Sequence, residues 1–338
     1  MRHPRRTRSM LAVLTTVLTT ILTTTATTAT TATTATPVLP AHAAAPTVEL
    51  QPERLPRGAD IGVPHIDDGD FVDGDRRVEL PGQAAEVIGR SGDAWLVGTY
   101  DVDPMRNRRV VRVEADGTLR PVLRGLDPWE VVLTADGSRL VAVPRPRLRG
   151  SVVNVWAADD GSLLAQREFS GYLGVVDADE RRVLLHINRR LLWWRVASDR
   201  VRTLTRKYPN AASIEHDLIS LYTKDPYRGG CTKLVRLSDL HDTLWESCRD
   251  RIADISPDGA QMFTMRILTD GLGADEIRLR EIDGTRLATY TTGWFSDWAW
   301  ESPTTVLLKV NGTKKAATVR CTLDACENAT DPVKVQMP

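Results

Sequence analysis

Short runs of arginine and lysine are the residues of this chain best suited to chemistry. Arg106, Arg108 and Arg109 form one run, Arg145, Arg147 and Arg149 a second, and Arg189 with Arg190 a third. Lys224 with Arg228, and then Lys314 with Lys315, follow further along. A guanidinium presents a planar fork of donors that matches a carboxylate or a phosphate, so an arginine-dominated set points to recognition of an anion rather than to diffuse attraction. That chemistry requires a fold that carries the runs to one face.

Other chemistries have weaker support. No Gly-x-Ser-x-Gly elbow occurs, and His65, His186, His216 and His241 are scattered, His186 inside an apolar run and His216 and His241 in turns. No cofactor is expected. The acidic stretch 67–75, with Asp67, Asp68, Asp70, Asp73 and Asp75, is dense enough to raise calcium but lacks EF-hand spacing. Among the nine tryptophans, Trp298 and Trp300 are two apart and so share a strand face, whereas Trp294 is expected in the loop before them, as an exposed ring able to stack on a ligand.

The elements that would position these side chains are strands. Beyond residue 84 the chain consists of short alternating runs such as "AWLVGTY", "RRVLLHI", "QMFTMRI" and "TVLLKV", separated by Gly, Asp, Pro or Asn, which is an all-β pattern. The turns recur. Asp93, Asp136, Asp179, Asp217, Asp258 and Thr304 occupy equivalent places 38–46 residues apart, and a second acidic series falls between them. Each period therefore holds four strands, A to D, with acidic A–B and C–D turns. Four-stranded units at this period form a β-propeller. Six complete blades are expected, starting near 84, 127, 171, 210, 250 and 294. The segment 58–81 adds a hairpin that is either an incomplete seventh blade or a seal for a six-bladed ring.

"SPDGAQMFTMRI" resembles the Pro-Asp-Gly turn of TolB-type and WD40-like propeller repeats, and "TADGSRLVAV" is a close variant. The repeats as a group resemble those of secreted bacterial propellers. The resemblance implies architecture and leaves function open, since propellers host enzymes and binding modules alike.

The N-terminus has the parts of a secretory signal: basic "MRHPRRTR", the apolar stretch 10–23, and "AHA" at 41–43, with cleavage expected after Ala43. The alternative is a retained anchor, although the apolar run is short of the ~18–20 residues a spanning helix needs. Residues 44–57 are expected as a flexible linker and 58–338 as one propeller domain. Loss of 1–43 removes Arg2, Arg5, Arg6 and Arg8 from 44 basic and 44 acidic side chains, leaving a net of −4. That balance gives no global pull towards nucleic acid or membrane. Cys231 and Cys248 stand at equal distances from the "SDLHD" turn, and Cys321 and Cys326 bracket "TLDA", so two local disulfides are expected.

In an up-and-down blade, the A–B and C–D turns emerge on one face and the B–C and D–A loops on the other. The basic runs fall in B–C loops of five blades. The expectation is an exported, monomeric binding module engaging an anionic partner, an unknown protein or an envelope polymer. The alternatives are an enzyme with its site in the axial funnel and a structural ring in an envelope assembly.

Overall fold

A computed structural model describes residues 44–271 and 273–335. The expected leader and its cleavage point lie outside the described residues. Four of the six expected blades are separate antiparallel sheets of four consecutive strands. The first blade sets the pattern, with Ala84–Ser91, Ala94–Asp101, Arg106–Val113 and Leu119–Arg124. The fifth and sixth blades are joined, because the last strand of one continues into the first strand of the next as the 15-residue Arg286–Trp300. Ahead of the first blade, His65–Asp67, Asp70–Asp73 and Arg76–Val78 form a three-stranded sheet. The chain is a β-propeller of six four-stranded blades and an incomplete seventh that lacks its fourth strand.

From the short sheet to the fifth blade, the A strands of successive blades touch around the axis. Blades stacked radially are covered on both faces, which is why their inner strands read as continuous apolar runs. In the third blade, Val183, Leu185, Ile187, Leu192 and Trp194 pack towards the second blade. Leu184, Leu191 and Trp193, the alternate side chains, pack towards the fourth. Equivalent buried clusters fill the junctions between the short sheet and the first blade, first and second, fourth and fifth, and fifth and sixth. Among the described residues, no such cluster joins the sixth blade to the short sheet. Two clefts of about 550 and 710 Å³ lie along that seam instead, bordered by Ile61, His65 and Ile66 on one side and Lys309 and Thr318 on the other.

The segment 44–57 differs from the expected flexible linker. It is a strap laid over the outside of the fifth and sixth blades. Thr47–Glu49 pairs in parallel with the strand Arg286–Trp300, in the register Val48 to Tyr290. Leu50 is wholly buried in the cluster of those two blades. Further on, the Asn328 side-chain amide donates to the carbonyls of Pro52 (2.8 Å) and Leu55 (3.0 Å). Arg320, ion-paired with Glu301 and Glu327, donates to the carbonyls of Ala59 (2.9 Å) and Asp60 (2.8 Å). The linker reading missed this because the strap has only three strand residues, and its prolines are tolerated at an outer edge.

Both disulfides form as the mirrored spacing implies. Cys321 faces Cys326 across a hairpin. Cys231 and Cys248 extend the register Thr232 to Ser247 by one pair. With a sequence separation of 17, closing the second loop contributes about 3 kcal/mol in the chain-entropy account. The C231S/C248S variant is therefore expected to unfold in urea with a stability lower by about that amount, and an unchanged midpoint would contradict it.

Candidate functional site

The basic loops converge most strongly where the third, fourth and fifth blades meet on the B–C side. A two-residue turn, Asn188-Arg189, joins Arg182–Ile187 to Arg190–Arg195 in the third blade. Both turn residues have positive φ, 44° and 63°, as a primed hairpin turn demands. Glycine would hold the second place at less cost, so the arginine carries a backbone penalty. In the fourth blade, the B–C loop contains a single 3₁₀ turn, Pro226–Arg228. The Asp225 carboxylate accepts from the Tyr227 amide (3.0 Å), and Gly229 closes the turn at φ 76°. The base of the loop is tied by reciprocal bonds between Thr223 and Cys231 and by the Cys231–Cys248 bridge.

These loops, the D–A connection 206–208 and the first strand of the fifth blade enclose a cleft of about 1180 Å³. Its cations are Arg189, Arg190, Arg206, Lys207, Lys224 and Arg251. Asp225 and Asp270 are its only acids. None of the six cations takes part in an ion pair among the described residues, whereas Arg57, Arg76, Arg77, Arg108, Arg278, Arg280 and Arg320 are all paired elsewhere. Arg251 is half-buried and donates to the Thr269 carbonyl (3.4 Å); the other five are exposed.

Three tyrosines complete the cleft. Tyr222 forms a wall, donating its hydroxyl proton to Asn210 Oδ1 (2.7 Å), and burial pushes its pKa up against the opposing pull of Arg251. Tyr208 rests on His186 with ring centroids 4.6 Å apart, and the Arg189 guanidinium stands 5.9 Å from the Tyr208 ring. His186, inside its apolar run, is thus packed rather than set free in the cleft. Burial holds its pKa below the usual histidine range, so at neutral pH it adds no charge to the cleft. Tyr227 projects from the 3₁₀ turn and is 73% exposed.

The structure thus gathers Arg189, Arg190 and Lys224 from the expected set. Arg228 lies on the same turn as Tyr227 but leans towards Asp225 (3.8 Å) and is not part of the lining. Arg145 and Arg147 line a separate cleft of about 610 Å³ with Arg124, Trp156 and Glu168, and Arg149 is exposed beside it. Arg106, Arg108 and Arg109 are not loop residues. They begin the strand Arg106–Val113, and Arg108 is ion-paired with Asp127. Lys315 likewise opens a strand, while Lys314 stays in the loop before it. Trp294 is also corrected: it lies within the strand Arg286–Trp300, opposite Asn311, and is half-buried. Residues 206–208 and Arg251 were not foreseen, although "RKYP" in the D–A connection is a visible basic and aromatic signal.

The opposite face is acidic. The A strands and A–B turns of blades two to five surround a funnel of about 770 Å³ containing Asp136, Asp177, Asp179, Glu180, Glu215 and Asp254, with Arg182 and His216 as its basic members. Most of these carboxylates are taken up by the fold. Asp177 accepts from the amides of Ala178 (2.7 Å) and Ile214 (2.6 Å), and Asp179 from the Arg182 side chain (2.7 Å). Asp177, Asp254 and Asp297 each sit at a β-bulge and accept from the next amide. Burial pushes the Asp254 carboxyl up to about 6, with the Asp297 charge adding to the effect and the Ile255 amide opposing it. In the 67–75 stretch, Asp67 and Asp70 pair with Arg77, and Asp73 pairs with Arg76. No three His, Cys, Asp or Glu side chains gather as a metal centre would need among the described residues. Asp258-Gly259 forms the fifth A–B turn, with Gly259 at φ 70° packed against His216, whose Nε2 lies 2.9 Å from the Pro257 carbonyl oxygen.

Fold and site together define a β-propeller with a cationic cleft on one face and an acidic funnel on the other. Among solved structures, the chain is similar to the β-propeller domain of the Trilobed protease from Pyrococcus furiosus, described as having an open velcro topology. That likeness has 10% identity and a TM-score of 0.56 over 79% of this chain and 89% of that one. The chain is also similar to the uncharacterized protein lmo1340 from Listeria monocytogenes EGD-e, with 14% identity and a TM-score of 0.50 over 74% and 83%. Both likenesses concern the fold. No family model matches the chain, and no curated protein is significantly similar to it in sequence. Among the described residues, no helix is long and apolar enough to cross a membrane.

Proposed function

We propose that this chain is an exported binding module that holds an anionic partner in the cleft between the third, fourth and fifth blades. The observation that carries the reading is six cations without ion-pair partners around one 1180 Å³ cavity. Cations concentrated this way on a protein of near-zero net charge repel one another unless an anion joins them. The leader-like N-terminus and two formed disulfides support export, since such bridges persist in oxidising compartments.

The test reverses charge at exposed residues only. R189E/R190E/K224E is expected to weaken binding to an acidic polymer such as polygalacturonate by about a hundredfold or more, since charge-assisted hydrogen bonds contribute ~1.5–3 kcal/mol each. R145E/R147E/R149E changes the net charge equally at a separate cleft of the same face and should leave binding nearly intact. Equal losses in the two variants would show diffuse attraction and remove the cleft from the account.

A further inference from the structure

Resting on that reading, we infer that the cleft takes an acidic polysaccharide: a chain of sugar rings bearing carboxylate or phosphate groups. Three features of the cleft select this class.

The first is size and openness. At about 1180 Å³ the cleft exceeds the ~300–1,000 Å³ that serve a single small ligand, and it reaches across loops of three blades. An extended ligand with several residues in contact suits it better than one small anion does.

The second is the pairing of flat rings with cations. Tyr227 is held out on a capped 3₁₀ turn at 73% exposure, and Tyr208 is 42% exposed with His186 behind it. Both rings therefore offer an uncovered aromatic face directly beside the cations. The C–H face of a pyranose covers such a ring, while Arg189, Arg190 and Lys224 reach the acidic substituents.

The third is the presence of acceptors among the donors. Asp225 and Asp270 use one carboxylate oxygen each on a local amide, of Tyr227 and of Gly271, and both line the cleft. Carboxylates repel every acidic ligand alike, but a polysaccharide also brings hydroxyls that donate to them, which glutamate side chains and a deoxyribose phosphodiester backbone lack. Beyond the tyrosines, the apolar lining is limited to Pro209, Pro226 and Ile267, which is less than the buried apolar centre of a protein interface.

Titration of the described protein with defined polymers at fixed ionic strength tests the inference. Polygalacturonate supplies carboxylates on sugar rings, a phosphate-bearing polysaccharide supplies the other acidic group, poly-L-glutamate supplies carboxylates without rings, oligo-dT supplies phosphates with bases, and dextran supplies rings without charge. One or both acidic polysaccharides should bind at least tenfold more tightly than poly-L-glutamate or oligo-dT, and dextran should not bind detectably. Y227A should reduce polysaccharide binding about tenfold and leave poly-L-glutamate unaffected. Because Tyr227 is exposed, this change tests the ring without disturbing packing. Equal binding of poly-L-glutamate with no effect of Y227A overturns the polysaccharide and leaves a general anion cleft. Tighter binding of oligo-dT also overturns it, in favour of nucleic acid. If no acidic polymer responds to R189E/R190E/K224E, the anion-binding reading itself falls.

Discussion

Leu50→Ala is expected to lower the stability of the whole propeller by about 3 kcal/mol, within the ~2–5 kcal/mol typical of a buried leucine lost from a packed core. Leu50 has no exposed surface and packs among Phe263, Tyr290, Phe295 and Val310, side chains of the fifth and sixth blades. Its amide donates to the Thr291 carbonyl (2.8 Å), and its carbonyl accepts from the Thr292 hydroxyl (2.9 Å), so the strap is fixed at this residue from both sides. Asn328→Ala adds a different kind of loss. It strips two carbonyls, those of Pro52 and Leu55, of their donor in a buried setting, at ~1–3 kcal/mol each. Urea unfolding gives the magnitudes, and amide exchange gives the location. Protection should fall first in residues 47–58 and in the outer strand of the sixth blade. A variant whose exchange rises uniformly around the ring would show that the strap has no special part in closure.

Asp254→Asn is expected to stabilise the protein at neutral pH by about 2–3 kcal/mol, a pKa displacement of roughly two units at ~1.4 kcal/mol per unit. The folded chain protonates Asp254 at about pH 6, whereas an unfolded aspartate does so near 3.9. Between those values the folded state binds more protons than the unfolded one, so stability falls as pH rises through the window. The charge is then carried in the funnel wall at pH 7, beside Asp297, with one amide in support. Asparagine keeps an acceptor for the Ile255 amide and removes the charge. The gain should be full above pH 7 and vanish below pH 4. A pH-independent difference between the two proteins would contradict this origin.

The repeat was legible because each blade places an acidic turn after its inner strand, and Asp136, Asp179 and Asp258 remain in those turns. The cysteine pairs were legible because residues equidistant from a hairpin turn must face one another. Trp294 was misplaced for a physical reason: the fifth blade passes into the sixth through "TYTTGWFSDWAW", where only Gly293 interrupts a continuous strand. The cleft was half legible. Arg189 and Lys224 stand in B–C loops and Arg190 opens the strand after one, instead of lying in the loop as expected, so all three still follow from the blade pattern. Arg206, Lys207, Tyr208 and Arg251 come from the D–A side, and only the radial arrangement of three blades brings them to the same cavity. The strap was not legible at all, since the register that makes it a strand belongs to residues 289–291.

The strap has a consequence for how the ring is assembled. Residues 47–60 are made before any blade, yet the backbone partners they use outside the strap itself lie between 289 and 328. Six blades can form from neighbours in the chain as synthesis proceeds, each a local event. Closure waits for residues 289–328 and joins them to residues 47–60, a contact of the slow, non-local kind. Until then the outer edge of Arg286–Trp300 and the site of Leu50 stay open to solvent. The last step of folding is therefore expected to be a single strand docking, at a rate that depends on residues 47–60 more than on any blade.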